Sequence, residues 1–307
     1  MRIRTWQADL LLLLVTAFWG ATFPVVKNAT DLNAGGVPTY WFLAARFTLA
    51  AVLLAAFFWR KLAAAPLRTW AAGALVGGFL FSGYALQTFG LALTSSAKAG
   101  FITGLCVVLV PVLAVLWLKR KPQPQAWLGV ATATVGLALL SLNADLVPTY
   151  GDLLVFLCAV GFALHIAAVG RYAGPHDPTA LAVIQIGTAA VLSWAMHLLD
   201  KGTVAPGVTG VVWWGGPANV VMAWLICGVL ATAVAFLLQN VLQPYTTPTH
   251  TALIFSAEPV WGAIFSYILL GETLTIRGYI GAGLIVAGML LAEIPLGPKT
   301  AAVAPGD

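Results

Sequence analysis

Apolar residues fall along this chain in ten long runs separated by short turns. The runs cover residues 10–26, 39–59, 69–90, 96–118 and 125–142, then 152–169, 179–199, 219–242, 249–270 and 276–293. Each approaches the roughly 17–25 residues that a helix needs to cross about 30 Å of hydrocarbon. Helix breakers punctuate the turns: Gly35-Gly36-Val37-Pro38, Pro122 with Pro124, Gly174-Pro175 with Pro178, and Pro244 with Pro248. The expected fold class is an all-α membrane protein of ten transmembrane helices.

The second five runs echo the first five. A shift of 152 residues lays Gln87 on Gln239, Thr94 on Thr246, Ile102 on Ile254, Gly129 on Gly281 and Gly136 on Gly288, without a gap. A shift of 143 lays Asp9 on Asp152 and Trp19 on Phe162. Both aspartates are expected to open a helix, where the dipole favours a carboxylate. Five spans per copy turn the second copy upside down. The pattern therefore predicts two inverted five-helix repeats, residues 1–145 and 150–294, around a central cavity, with 295–307 a disordered tail. Secondary transporters are built in this way. The turn Lys119-Arg120-Lys121 corresponds to Gly271-Glu272-Thr273, basic against acidic, as opposite membrane sides require.

Composition agrees. Of 307 residues, 61% are hydrophobic and 8% charged, against about 25% charged in a soluble domain. The net charge of +5 is no nucleic-acid footprint, because the basic residues cluster between apolar runs. With the N-terminus cytoplasmic, the inner side holds Arg2, Arg4, Arg60, Lys61, Arg68, Lys119, Arg120, Lys121, Arg171 and Lys299, and the outer side Lys27, Lys98, Lys201 and Arg277. This bias predicts both termini in the cytoplasm. The basic start and apolar run could suggest a signal peptide, but no A-x-A site follows, and a signal-anchor role is expected. Cys106, Cys158 and Cys227 lie inside apolar runs without CxxC or CxxH spacing, so neither disulfide nor metal is expected. There is no HExxH, P-loop or GxSxG, so no enzyme and no cofactor is expected, and active transport would draw on a gradient.

Polar residues inside the runs are the candidate chemistry. Glu258 stands mid-run, where an ionised carboxylate costs about 2.5–3.5 kcal/mol, and so needs a cavity, a partner or a proton. Either it titrates or contacts a cation at a transport site, or it forms a structural ion pair. Pro259 frees the carbonyl of Phe255, and Trp261 follows one turn on. Arg46 lies at a similar depth at about 1.5 Å per residue, and either pairs with Glu258 or snorkels to the outer headgroups. His165 either titrates and couples to protons or bonds a neighbouring helix. Gln87 and Gln239, with Tyr84 and Phe236 one turn before them, suit a cavity that stacks flat groups and binds polar ones. Trp19, Phe23, Phe101 and Phe162 extend that lining. Lys98 and His250 correspond and either flank the two mouths or sit in water. Gly73-x-x-x-Gly77 and Gly100-x-x-x-Gly104 are small-residue packing faces. Pro24, Pro111 and Pro259 are candidate hinges.

Several segments resemble the drug/metabolite transporter superfamily, EamA family: Ala17-Phe18-Trp19-Gly20, Ala44-Ala45-Arg46-Phe47, residues 84–111 (YALQTFGLALTSSAKAGFITGLCVVLVP), Glu258-Pro259-Val260 and Leu270-Gly271-Glu272. The resemblance implies a ten-helix bacterial inner-membrane carrier whose cavity is lined by helices 1, 3, 4, 6, 8 and 9, with 5 and 10 peripheral. Arg120 departs from the family's Gly-Glu at that turn. The function so implied is export of a small amphipathic metabolite, an amino acid or related compound, by alternating access. Uptake of a quaternary amine such as choline is the alternative, and a membrane scaffold or lipid-handling protein is another. Expected partners are a small-molecule substrate, the lipid bilayer and a proton or other coupling ion. The oligomeric state is open between monomer and homodimer.

Overall fold

The computed structural model describes residues 4–30, 35–91, 93–94, 96–141, 148–199, 219–270 and 273–293. Among the described residues the chain is entirely helical, with no strand. The helices are α1 (Thr5–Ala29), α2 (Thr39–Ala63), α3 (Leu67–Leu91), α4 (Ser96–Gly104), α5 (Cys106–Leu116), α6 (Pro124–Ser141), α7 (Tyr150–Tyr172), α8 (Pro178–Leu199), α9 (Val220–Leu225), α10 (Ala235–Leu242), α11 (Pro248–Phe255), α12 (Glu258–Leu270) and α13 (Ile276–Glu293). A π-helical stretch, Ile226–Val234, joins α9 to α10.

Among the described residues, seven spans are long and apolar enough to cross a membrane: Thr39–Ala63, Leu67–Gly90, Ala99–Leu116, Pro124–Ser141, Tyr150–Tyr172, Pro178–Leu199 and Val220–Tyr245. Ile276–Ala292 is a shorter apolar helix. The outer surface is apolar, with Phe57 79% and Leu116 73% exposed, as a lipid-facing surface requires. The protein is an all-α membrane protein.

Three spans differ from the sequence expectation. Residues 96–118 form two helices that meet at Leu105, and residues 249–270 form two that meet at Ser256-Ala257. Leu105 and Ala257 correspond under the shift of 152. The backbone tightens at each break: the N–H of Val108 donates to the carbonyl of Leu105, and that of Ala257 to Ile254. The third span, 219–242, carries the π-helix, which its apolar sequence did not announce.

Asp152 sits in a capping box at the start of α7, reciprocally bonded with Thr149. Asp9 does not open α1. That helix starts earlier, at Thr5, where the Arg4 N–H donates to Gln7 Oε1 at 2.9 Å. Lys119-Arg120-Lys121 joins α5 to α6. Gly271, Glu272, the Trp213-Trp214 linker and the tail 295–307 lie outside the described residues.

Glycine sets the closest helix crossings. α6 and α13 run antiparallel, with Gly129 against Gly288 and Gly136 against Gly281. A methyl on Gly129 would lie 2.5 Å from the Gly288 carbonyl oxygen, and one on Gly281 would lie 2.6 Å from that of Gly136. These contacts are reciprocal between corresponding residues. Gly73 and Gly77 meet Ile184 and Gln185 on α8, as the small-residue face predicts. Gly104 packs on Leu137 of α6, whereas Gly100 has open space around it and packs on nothing. α2 also packs on α8, α3 on α7, α1 on α12, and α5 on α7 and α11.

Candidate functional site

The interior holds a cluster of rings and polar groups drawn from α1, α2, α3, α7, α8, the π-helix, α10 and α11. Two tight crossings bring its parts together. On α7, a methyl at Gly161 would come 2.9 Å from the amide nitrogen of Gly83. On α3, a methyl at Gly83 would come 2.6 Å from the Phe162 ring. At that contact Tyr84 stands edge-on to Phe162, with centroids 5.3 Å apart, and edge-on to Phe47 at the same distance. On α1, Gly20 abuts Trp261, Gly262 and the Glu258 carbonyl, drawing α1 against α12. Trp19 then meets Phe255 edge-on at 4.9 Å and Phe236 at 5.4 Å. His165 stands edge-on to Phe236 at 5.8 Å.

Arg46 is buried, 4% exposed, and does not snorkel. Its Nε and Nη2 both donate to Thr232 Oγ1, at 3.0 and 2.9 Å. The guanidinium carbon lies 5.5 Å from the Tyr84 ring centroid and 5.6 Å from that of Phe47, within cation–π reach. Thr232 belongs to the π-helix, and its hydroxyl donates in turn to the Cys227 carbonyl five residues back. The preceding carbonyl, Ala231, accepts from Trp19 Nε1 at 2.9 Å. Wide helical turns of this kind are frequent at functional sites. This one supplies a carbonyl and a hydroxyl to the cluster.

Glu258 opens α12, directly after the break, and is partly exposed. Arg46 lies within electrostatic reach of it, but no ion pair joins them. Of the two alternatives for Arg46, neither snorkelling nor a direct pair with Glu258 is seen. Glu258 also lies within electrostatic reach of Tyr84 and Cys106, so it borders the ring cluster on one side and the other broken span on the other.

His165 is buried, and its Nε2 bonds Gln185 Oε1 of α8 at 3.0 Å. With the amide so oriented, His165 donates from Nε2. Gln87 is partly exposed and donates to Thr103 of α4 at 3.3 Å. Its counterpart Gln239 departs from the cavity expectation. It is fully buried and donates to Gln243 Oε1 at 3.1 Å, and Gln243 holds the Ile166 carbonyl at 2.6 Å. That chain ties α10 to α7. Phe101 packs, with Trp19, against the apolar cluster around Leu12, Leu137 and Leu253. Trp261 sits in the α1–α12 crossing with Phe265, centroids 6.3 Å apart.

Pro111 lies within the continuous α5, six residues past the break, so the bend is not at the proline. Pro259 sits just after the other break. His250 Nδ1 lies 3.8 Å from Asp9 Oδ1 and 3.0 Å from Thr246 Oγ1. At the corresponding place Thr94 donates to Asp152 at 2.5 Å. The side chains of Phe23, Pro24 and Lys98 lie outside the described residues.

Thr232 and Gln185 escaped the sequence reading. Gln185 was findable, as an amide inside an apolar run like Gln87. Thr232 was not, because only the π-helix makes a threonine there a partner for Arg46.

A scan against family models matches the EamA-like transporter family twice, over residues 6–142 and 149–293. The chain belongs to the EamA-like transporter family. An uncharacterized transporter of Archaeoglobus fulgidus is 33% identical over 294 residues, which is 95% of this chain and 87% of that protein. The threonine/homoserine exporter RhtA of Escherichia coli is 28% identical over 260 residues, 80% and 79% of the two chains. A solved crystal structure shares the fold, with a TM-score of 0.76 and 20% identity, over 94% of this chain and 97% of that one.

Proposed function

We propose that this EamA-like transporter is a secondary exporter of a small amphipathic metabolite, an amino acid or related compound, working by alternating access. The observation that carries the reading is the interior cluster. A buried Arg46, a partly exposed Glu258 and the rings of Trp19, Tyr84, Phe162 and Phe236 converge where two spans break at corresponding residues. Such a site offers both charges and flat apolar faces. Broken helices near mid-membrane are the common construction of transporter binding sites. The similarity to RhtA supports an amino-acid cargo.

The two family matches and the antiparallel, reciprocal α6–α13 crossing support ten helices in two inverted repeats, 1–145 and 150–294, which would exchange inner and outer openings around the cluster. Glu258 is the proposed coupling group, since it alone places a carboxylate beside the cluster. The charge bias supports both termini in the cytoplasm of a bacterial cell.

Counterflow in liposomes is the direct test. Labelled threonine or homoserine should exchange into vesicles preloaded with the same compound. Exchange of choline without any amino acid would turn the reading to amine uptake, and no exchange of any solute would leave a scaffold.

A further inference from the structure

We propose that Arg46 is the carboxylate anchor of the transport site: its buried guanidinium binds the carboxylate of the cargo, and Glu258 faces the cargo's ammonium group. This rests on the transport reading above and assigns the roles of two residues within it.

A buried guanidinium needs an anion. Burying an unpaired charge is costly, and the cost falls only when an opposite charge arrives with good geometry. Arg46 has five N–H donors, and the acceptors it meets among the described residues are neutral hydroxyls, Thr232 Oγ1 and that of Tyr84. The Thr232 hydroxyl already donates to the Cys227 carbonyl. Thr232 holds one edge of the guanidinium and the rings of Phe47 and Tyr84 flank it. Among the described residues no carboxylate pairs with the guanidinium. A carboxylate is the group that a planar guanidinium binds two-pronged.

Glu258 does not fill that need, since it makes no direct contact with Arg46. The two charges are close enough to interact and too far apart to touch. An α-amino acid supplies the complementary pair of charges, a carboxylate for Arg46 and an ammonium for Glu258. Its side chain falls among Trp19, Phe236, Tyr84 and Phe162. A quaternary amine fits worse: it supplies no anion and brings another cation near Arg46.

Three amino acids and their methyl esters test the assignment, using the purified full-length protein. L-threonine, L-leucine and L-phenylalanine share ammonium and side chain with their esters, which lack the carboxylate. Binding is read as stabilisation against heating. At least one acid should bind, and its ester at least about tenfold more weakly, the scale of a charge-assisted hydrogen bond. Arg46→Gln should erase the preference for acid over ester while leaving ester affinity within about twofold. Arg46→Lys should keep part of the preference, as a point charge does.

An ester that binds the wild-type protein as tightly as its acid overturns the assignment, and this comparison needs no variant to fold. An Arg46→Gln protein that still prefers the acid also overturns it, with amino-acid transport left standing. If choline binds and no acid does, the anchor is wrong and the site is cationic. If nothing in the panel binds, the amino-acid reading falls and the anchor falls with it.

Discussion

The span of α4 and α5 and the span of α11 and α12 occupy corresponding places in the two matched regions and break at corresponding residues, Leu105 and Ala257. Beyond the break they part. One continues Cys106-Val107, the other Glu258-Pro259. The same backbone device therefore carries a thiol on one side and a carboxylate on the other. Gln87 and Gln239 diverge likewise, one partly exposed toward Thr103 and the other locked to Gln243. The glycines of α6 and α13 do not diverge, since Gly129 meets Gly288 and Gly136 meets Gly281 with a methyl to carbonyl distance of 2.5 or 2.6 Å in each direction. The two matched regions share this packing and differ in the polar groups they carry at the breaks.

The glycines give the sharpest test of the preserved part. Gly136→Val and Gly281→Val should each lower stability by about 3 kcal/mol, because each side chain would meet backbone rather than a movable side chain. Gly283→Val, with open space around it, should change little. Thermal unfolding in detergent reads all three, and unequal losses at Gly136 and Gly281 would break the symmetry.

The glutamines come next. Gln239→Leu strands the Gln243 amide oxygen in the interior and should cost about 2 kcal/mol. Gln87→Leu should cost less than about 0.5 kcal/mol and act on transport instead. A matched loss of stability would mean the two positions have not diverged.

Glu258→Gln should slow counterflow about tenfold, roughly 1.4 kcal/mol, while Cys106→Ala stays within about twofold. Equal effects would remove the asymmetry between the broken spans.

The smallest effect lies at the membrane edge. Asp177, between α7 and α8, accepts from the backbone N–H groups of Thr179 and Ala180 and pairs with Lys61 at 3.0 Å. Burial raises its carboxyl pKa, but the Ala180 bond and Lys61 outweigh that and hold it below the ordinary range. A depressed folded-state pKa means the stabilisation is present above the unfolded value, 3.8, and is lost as pH falls through the folded one. Asp177→Asn should therefore cost only about 0.5 kcal/mol at neutral pH, and the difference from wild type should vanish in strong acid.

Much of this was legible in the chain. Apolar run length announced helical spans, and the shift of 152 singled out the four glycines of the α6–α13 crossing, although it aligns Gly129 with Gly281 and the contact is between Gly129 and Gly288. Arg46, Glu258, Trp19, Tyr84, Phe162, His165 and Phe236 stood out as polar or aromatic residues in apolar runs, and all but Glu258 are linked by ring or cation–π contacts. The breaks were less legible. Proline pointed to Pro111, but α5 runs through it and the helix is interrupted at Leu105, beside Gly104.

What the sequence determined by itself is that the chain is a helical membrane protein with a few charged groups inside its apolar runs. Run length and composition suffice for that, since hydrocarbon admits only segments that satisfy their own backbone. Which polar groups touch was left to the tertiary structure. Thr232 became the support of Arg46, Gln239 became a strut, and Glu258 stayed apart from Arg46. Those outcomes depend on helix rotation and on a π-turn, and both are set by how neighbouring helices pack.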